Sequence, residues 1–326
     1  MLNTKATMLR TELIVSHPFF AACHAATLAE LSDGSIMAAW FAGSSESNPD
    51  VTIWSSIYRN GTWDAPVIVA DGIINDSLRY ACWNPVLFRT YNNRLFLFYK
   101  VGPNPRDWWG MMKYSDDQGQ SWSAAERLPT GILGPIKNKP LQLTNGNILY
   151  PSSTESDGGK KWLIHLERSD SKGKQWKNIS IDCDSFGVIQ PSILSYKKNK
   201  LQLISRSRQN FILQCWSTDG GNTWGPLSKT NLPNPNAGID AVTLQNGLQL
   251  LIYNPLEAGK EWYNGRNKLS VAISRDGKYW KNIATLEDAA SGEYSYPAVI
   301  QTNDRLIHIL YTYDRKNIKH VILEVK

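Results

Sequence analysis

Cysteine and histidine are scarce in this chain, and neither is clustered. The four cysteines, Cys23, Cys82, Cys183 and Cys215, lie far apart with no CxxC pair. That excludes a disulfide frame and a thiolate zinc site, and it implies reduced thiols. The five histidines show no HxH or HExxH spacing, and no Asp-rich calcium loop occurs, so no metal is expected. A glycine-rich phosphate loop and a dinucleotide fingerprint are also missing, and no cofactor is implied. No apolar run approaches the roughly 18–20 residues that a membrane-spanning helix needs. The opening stretch, MLNTKATMLRTELIVSHPFF, has no continuous apolar core before a small-residue cleavage site, which sets the expectation of a cytoplasmic protein. Thirty-five basic residues against 29 acidic ones give a net charge of +6, dispersed without a basic stripe. Such a surplus fits an acidic small molecule as well as it fits nucleic acid, and net charge alone decides nothing; the expectation set for partners is an acidic oligosaccharide, with neither nucleic acid nor membrane. Long amphipathic helix patterns are absent as well.

What the chain has instead is a repeat. Trp63, Trp122, Trp176, Trp224 and Trp280 recur at intervals of 48 to 59 residues. Related segments precede four of them: SDDQGQSW (115–122), SDSKGKQW (169–176), STDGGNTW (217–224) and SRDGKYW (274–280), with a worn RNGTW at 59–63. Such a segment reads as a hairpin turn, with Ser and Asp bonding local amides and Gly supplying positive φ. A second series runs in step: HAATLAELSDG, NPVLFRTYNN, KPLQLTNG, QPSILSYKKN, DAVTLQNG and YPAVIQTND. Each copy opens on a polar residue or Tyr, continues as an apolar strand, turns, and is followed by another apolar strand.

Six copies of about 54 residues match the size of a four-stranded propeller blade. The fold predicted is all-β, a single six-bladed β-propeller over residues 1–326. The last blade lacks a fourth strand after VILEVK (321–326), and TELIVS (11–16) is expected to supply it and close the ring. Inner strands of a propeller line its channel. Their opening residues, His24, Asn84, Lys139, Gln190, Asp240 and Tyr296, therefore imply a polar cavity at one structural level.

The segments at 115–122 and 217–224 match the Asp-box pattern S-x-D-x-G-x-[ST]-W. Over essentially its whole length the chain resembles the sialidase (neuraminidase) superfamily, and within it the BNR-repeat, sialidase-like branch. The resemblance implies an exo-acting glycoside hydrolase that removes a terminal acidic sugar from an oligosaccharide. It places the Tyr nucleophile at Tyr296, where a neutral phenol approaches an anomeric carbon bearing a carboxylate without charge repulsion. It gives Arg206 and Arg266 as two arginines of a carboxylate clamp, and Glu46 or Asp50, on the loop FAGSSESNPD, as the acid/base. Two positions depart from the pattern. His24 stands where the first clamp arginine is expected, and Gln190 where the Glu that activates the Tyr is expected. Asp240 or Glu293 would then serve as base, and Lys137 or Lys139 as the replacement cation. Trp83, Trp108 and Trp109 are candidates for stacking on sugar faces, with Asn84 and Gln190 in the substrate-binding set.

Two alternatives use the same parts. A propeller polysaccharide lyase would abstract the proton beside a uronate carboxylate with His24 and Tyr296, while Arg206 and Lys139 neutralise that carboxylate. A non-catalytic carbohydrate-binding propeller would hold its sugar without reaction.

Overall fold

The computed structural model describes residues 4–183 and 186–326. Among these the only helical element is one 3₁₀ turn, Asp157–Gly159, and the rest of the regular structure is strand. The described strands form six antiparallel sheets of four strands each, the first carrying one extra strand, Val67–Ala70, together with a small two-stranded ribbon of Ile73–Asn75 and Leu78–Arg79. The innermost strands are Ala22–Glu30, Cys82–Arg89, Leu141–Gln142, Val188–Ser195, Asp240–Thr243 and Tyr294–Gln301, and the last packs against the first. The molecule is a six-bladed β-propeller, with blades numbered I to VI from these strands.

Strand composition follows from this layering. The second strand of each blade is covered on both faces by neighbouring blades. Leu95–Val101 and Leu201–Ser207 are accordingly buried at every position; the first, LFLFYKV, is apolar but for Lys100, whereas the second also buries Gln202, Ser205, Arg206 and Ser207. The serine- and aspartate-rich turns join third to fourth strands, at the end of each blade away from where the inner strands start. In one, the Ser217 hydroxyl donates to Asp219 Oδ1 (2.8 Å) while the amides of Gly221 and Thr223 donate to Ser217 Oγ (2.9 Å) and Asp219 Oδ1 (3.0 Å). The Thr223 hydroxyl also donates to Asp219 Oδ2 (2.7 Å), and this bond, with the Thr223 amide and the Ser217 hydroxyl behind it, holds the Asp219 carboxyl down at about 2.

The start of the inner strand differs from the rest of it. In blades I, II, IV and VI its pairing slips by one residue at Ala25, Asn84, Gln190 and Tyr296, which adopt φ of 54°, 33°, 57° and 53°. A bulge of this kind re-aims one side chain out of the sheet, and left-handed backbone at a non-glycine residue is uncommon enough to mark a functional position. Proline follows in three of the four, at Pro85, Pro191 and Pro297. The six expected openers therefore do not share one level. Ala25, rather than His24, is the counterpart of Tyr296; Lys139 lies two residues before its strand and Asp240 opens its own, neither with a left-handed backbone.

Blade III has an inner strand of only two residues because the segment before it, Gly134–Pro140, is pulled into the channel. Glu167 accepts the amides of Leu133 (2.8 Å) and Gly134 (2.6 Å), and Lys100 donates to the Pro135 carbonyl (2.5 Å). Both side chains are fully buried, and burial pulls the Lys100 pKa down to about 7.

In blade VI the outermost strand is Ala6–Leu13, paired antiparallel with Asn317–Val325 from Ala6 opposite Val325 to Leu13 opposite Lys319. The strand from the start of the chain thus lies on the strand from its end. A buried chain of polar groups crosses the seam. Glu12 Oε1 lies 3.1 Å from His320 Nδ1, and His320 Nε2 lies 3.0 Å from His308 Nδ1. Burial pushes the two imidazoles down to about 4 and about 3.

Deleting residues 1–16 should lower the melting temperature by at least about 10 °C, since it strips a full strand from the seam; an unchanged calorimetric transition would refute the closure. The histidines give a pH dependence. Unfolded imidazoles take protons near pH 6.5, whereas the folded pair resists until about 4 and 3. The folded state therefore loses stability as pH falls below about 6.5, on the order of 1 kcal/mol per histidine per pH unit. His308→Gln should flatten the melting-temperature profile between pH 7 and 5.

Candidate functional site

The bulge in blade VI turns Tyr296 into the mouth of the channel, where Arg206 from the second strand of blade IV meets it. Arg206 Nη1 donates to the phenolic oxygen at 2.8 Å and to Gln190 Oε1 at 3.2 Å, and Gln190 Nε2 donates to the same phenol at 3.5 Å. Asn236, in the connection between blades IV and V, fixes the other edge of the guanidinium. Its Oδ1 accepts from Arg206 Nε at 3.0 Å, and its carbonyl accepts from Nη2. Arg206 is 5% exposed, and among the described residues no carboxylate forms an ion pair with it. The phenol therefore accepts from two donors, one of them cationic, and no described carboxylate bonds to it.

Two further arginines face the same mouth. Arg266 Nη1 pairs with Glu293 Oε1 at 3.0 Å, and Arg315 Nε pairs with Glu293 Oε2 at 2.8 Å. Arg315 also pairs with Glu46, and both guanidiniums lie about 5 Å from the Trp262 ring. Burial and the Arg206 charge lower the Arg266 pKa, with Glu293 opposing them. Burial acts the same way on Arg315, but Glu46 and Glu293 outweigh it and raise the value. His24, Phe41, Glu46, Trp262 and Arg315 line a cavity of about 350 Å³ on the blade I side of Tyr296.

Arg315 was not legible as a site residue. It sits in the tight turn of YDRKN, with φ of 52° and 54° at Asp314 and Arg315, between the second and third strands of blade VI. Such a turn reads as solvent-exposed, yet strand direction puts it on the mouth face beside the 44–50 loop. The amide of Cys23 donates to the Arg315 carbonyl at 2.8 Å, docking the turn on blade I. The one available signal was that shared face. Glu155 was missed too: it ends the second strand of blade III as a half-buried carboxyl, raised by desolvation and opposed by Arg206.

His24 does not replace the first clamp arginine as a cation. It is 2% exposed, its ring lies 4.1 Å from that of Tyr296, and burial, reinforced by Arg315, holds its pKa well below the usual imidazole value. Thr312 Oγ1 accepts the Ala25 amide (3.3 Å) and lies 2.8 Å from His24 Nδ1. The Thr312 hydroxyl has no other acceptor among the described residues, so donating to Nδ1 satisfies both groups. The ring proton is then on Nε2, which has no hydrogen-bond partner. In this tautomer His24 is a donor, and the expected lyase base is not available there.

Several other candidates are engaged elsewhere. The Asp240 carboxylate takes Lys139 Nζ (2.7 Å), the Ser192 hydroxyl (3.0 Å) and the amide of Val299 (2.9 Å), so Asp240 and Lys139 form a buried pair in the channel wall and neither reaches Tyr296 by a bond. Glu293 is held by two arginines and by Ser295 Oγ (3.0 Å), and makes no bond to Tyr296. Asp50 closes its own loop by accepting the Ser44 amide (2.7 Å) and hydroxyl (2.8 Å). Burial raises its carboxyl pKa, but those two bonds outweigh it and leave the value below normal, the wrong direction for an acid. Trp83 is core, with its Nε1 donating to Gly102 O (2.8 Å), and Trp109 packs on Tyr80 and Arg127. Asn84 occupies the blade II bulge and is buried. Trp108 lines a separate cavity between blades II and III.

Lys137 is the support beneath the site rather than a substrate cation. Its Nζ donates to Asn138 Oδ1 (2.9 Å), Ile239 O (3.0 Å) and Pro297 O (2.6 Å), one acceptor for each ammonium proton. Burial pulls its pKa down to about 7, with Asp240 opposing. Pro297 follows Tyr296, so this bond pins the bulge. Gly238 leaves the room required, since a Cβ there would sit 3.0 Å from Lys137 Cε and 3.1 Å from the Tyr296 ring. Among the described residues no group of three or more His, Cys, Asp or Glu side chains is placed to hold a metal.

Six sheets around a polar, arginine-rich mouth define a sialidase-like β-propeller. The chain belongs to the family described as BNR repeat-like domain, which it matches over residues 34–309. It is 24% identical over 227 residues to the anhydrosialidase of Macrobdella decora, covering 61% of this chain but only 29% of that protein. Its fold is similar to a Dyadobacter fermentans protein of unknown function (TM-score 0.80, 17% identity, 99% and 100% of the two chains). It is also similar to the NanB sialidase of Streptococcus pneumoniae (TM-score 0.72, 15% identity, 96% and 70%). At these identities the structural likeness is one of fold.

Lys137→Met should leave the buried Ile239 and Pro297 carbonyls unpaired, at a cost of about 1–3 kcal/mol for each. Chemical denaturation should show that loss; wild-type stability would remove Lys137 as the pin of the bulge.

Proposed function

We propose that the protein is a sialidase-like glycoside hydrolase that removes a terminal acidic sugar from an oligosaccharide. The observation that carries this reading is Arg206, a buried guanidinium without a carboxylate partner, bonded at 2.8 Å to the hydroxyl of Tyr296. A buried cation calls for an anion, and the substrate carboxylate supplies one next to the phenol. Arg266 and Arg315 add positive potential, but Glu293 and Glu46 already neutralise much of it. A monoanionic sugar therefore suits the charge balance better than a polyanion.

In this mechanism Arg206 and Gln190 orient the Tyr296 oxygen and stabilise negative charge on it as it attacks or faces the oxocarbenium centre. Gln190 takes no proton, so the phenol proton leaves to water or substrate. Glu46 and Glu155 flank the mouth on opposite sides and are the candidates to protonate the leaving oxygen.

Tyr296→Phe should lower kcat on a sialyl-oligosaccharide by at least about a hundredfold with binding retained; full activity would take Tyr296 out of the chemistry. Glu46→Gln and Glu155→Gln separate the two acids. Loss of the true acid should be severe on a natural glycan and mild on an aryl glycoside whose leaving group needs no proton. A panel of sialylated and uronate-containing oligosaccharides read by mass spectrometry tests the reaction class: a product that gains water supports hydrolysis, whereas an unsaturated uronate would overturn it.

A further inference from the structure

We propose that the face opposite the mouth carries a separate binding site, between blades III and IV, for a sugar ring bearing one carboxylate. It does not rest on the reading of the mouth. The turns that join inner to second strands in blades II, III and IV meet the 217–224 turn around a cavity of about 360 Å³, room for one small ring. Its cation is Arg168, half-buried at the end of the third strand of blade III. Arg168 Nη1 donates to Asn222 Oδ1 across the blade boundary at 2.6 Å, which fixes the guanidinium, and no described carboxylate forms an ion pair with it. The rest of its N–H fork makes no hydrogen bond among the described residues, and a carboxylate is the group that such a fork takes. Asp219 is the one described carboxylate that lines the cavity, and it is already occupied. It accepts from the hydroxyls of Ser217 and Thr223 and from the amide of Asn222 within its own turn. Lys197 and Lys198, in the adjoining turn, have no described carboxylate partner either, so the local field is positive.

Tyr91 supplies an aromatic wall. It is 73% exposed, yet both its polar ends are tied to one residue: its amide donates to Gln142 Oε1 (2.8 Å) and its hydroxyl to the Gln142 carbonyl (2.9 Å). A ring held in one place while open to solvent is a contact surface whose ordering cost has already been met in folding. Thr144, Ser195 and Asn199 also line the cavity, and their side chains make no hydrogen bond among the described residues. A fixed guanidinium, an aromatic wall and unused hydroxyl and amide groups match the carboxylate, the apolar ring face and the hydroxyl edge of an acidic pyranose. A neutral hexose would leave Arg168 without its counter-charge.

The test is an NMR titration of the full chain, carrying isotope-labelled threonine methyls, with sodium glucuronate at millimolar concentrations. The Thr144 methyl is the reporter, identified by its loss in Thr144→Ser, and glucose and sodium chloride are the controls. Glucuronate should move the Thr144 resonance saturably, whereas glucose and salt should leave it in place. Arg168→Met should weaken the titration by about tenfold or more, and Tyr91→Ala by about threefold or more, with the other threonine methyls unmoved as evidence of folding. No shift with glucuronate, an equal shift with glucose, or wild-type affinity in folded Arg168→Met would overturn the site. Turnover plays no part in this readout. A protein that shows the Thr144 titration but hydrolyses nothing keeps this site and loses the hydrolase reading, and an active protein without the titration does the reverse.

Discussion

The site depends on one backbone event, the left-handed bulge at Tyr296 held by the Lys137–Pro297 hydrogen bond. Without the slipped register, Tyr296 would alternate into the wall between blades, as strand residues do. With it, the phenol projects into the mouth within 2.8 Å of a guanidinium. The same bulge at Gln190 delivers the amide that bridges the two. The proline after each bulge reinforces it: Pro has no amide hydrogen to give to the ladder, and it keeps the residue before it out of the right-handed helical region. The strain is balanced by a buried ammonium whose three protons are all used.

Electrostatic design follows from that placement. Three arginines crowd one mouth, and two are neutralised by Glu293 and Glu46 while the third is not. Glu293 is therefore a spacer that lets Arg266 and Arg315 approach each other in a region of low dielectric. The neutral state of His24 has the same origin. A second uncompensated cation beside Arg206, Arg266 and Arg315 would be costly, so the imidazole stays uncharged and hydrogen-bonded to Thr312.

Much of the architecture was legible because repetition amplifies a weak local pattern. Six copies of strand–turn–strand, with recurring Trp and Ser-x-Asp turns, outweigh the ambiguity of any one strand. Tyr296 and Gln190 were legible because each opens the inner strand of its blade, and Arg206 because its strand resembles the one that carries a clamp arginine in sialidases. The rest was hidden for physical reasons. His24 was read one residue out of register because Ala25 shows no polar marker at its bulge. Lys139 and Asp240 looked like two free channel groups, since sequence cannot show that residues about a hundred positions apart face each other. Arg315 and Asn236 sit in connections, where side-chain direction depends on turn geometry and leaves no periodic trace.

The seam in blade VI also bears on how the chain is made. Glu12 and His320 meet across 308 residues of sequence, so the outer strand leaves the ribosome well before the partner it pairs with. Blades I to V can each assemble as their residues appear, because their strands are contiguous. The ring cannot lock until Asn317–Val325 has emerged, and until then Ala6–Leu13 is an unpaired strand carrying Met8, Leu9 and Leu13, open to association with other nascent chains.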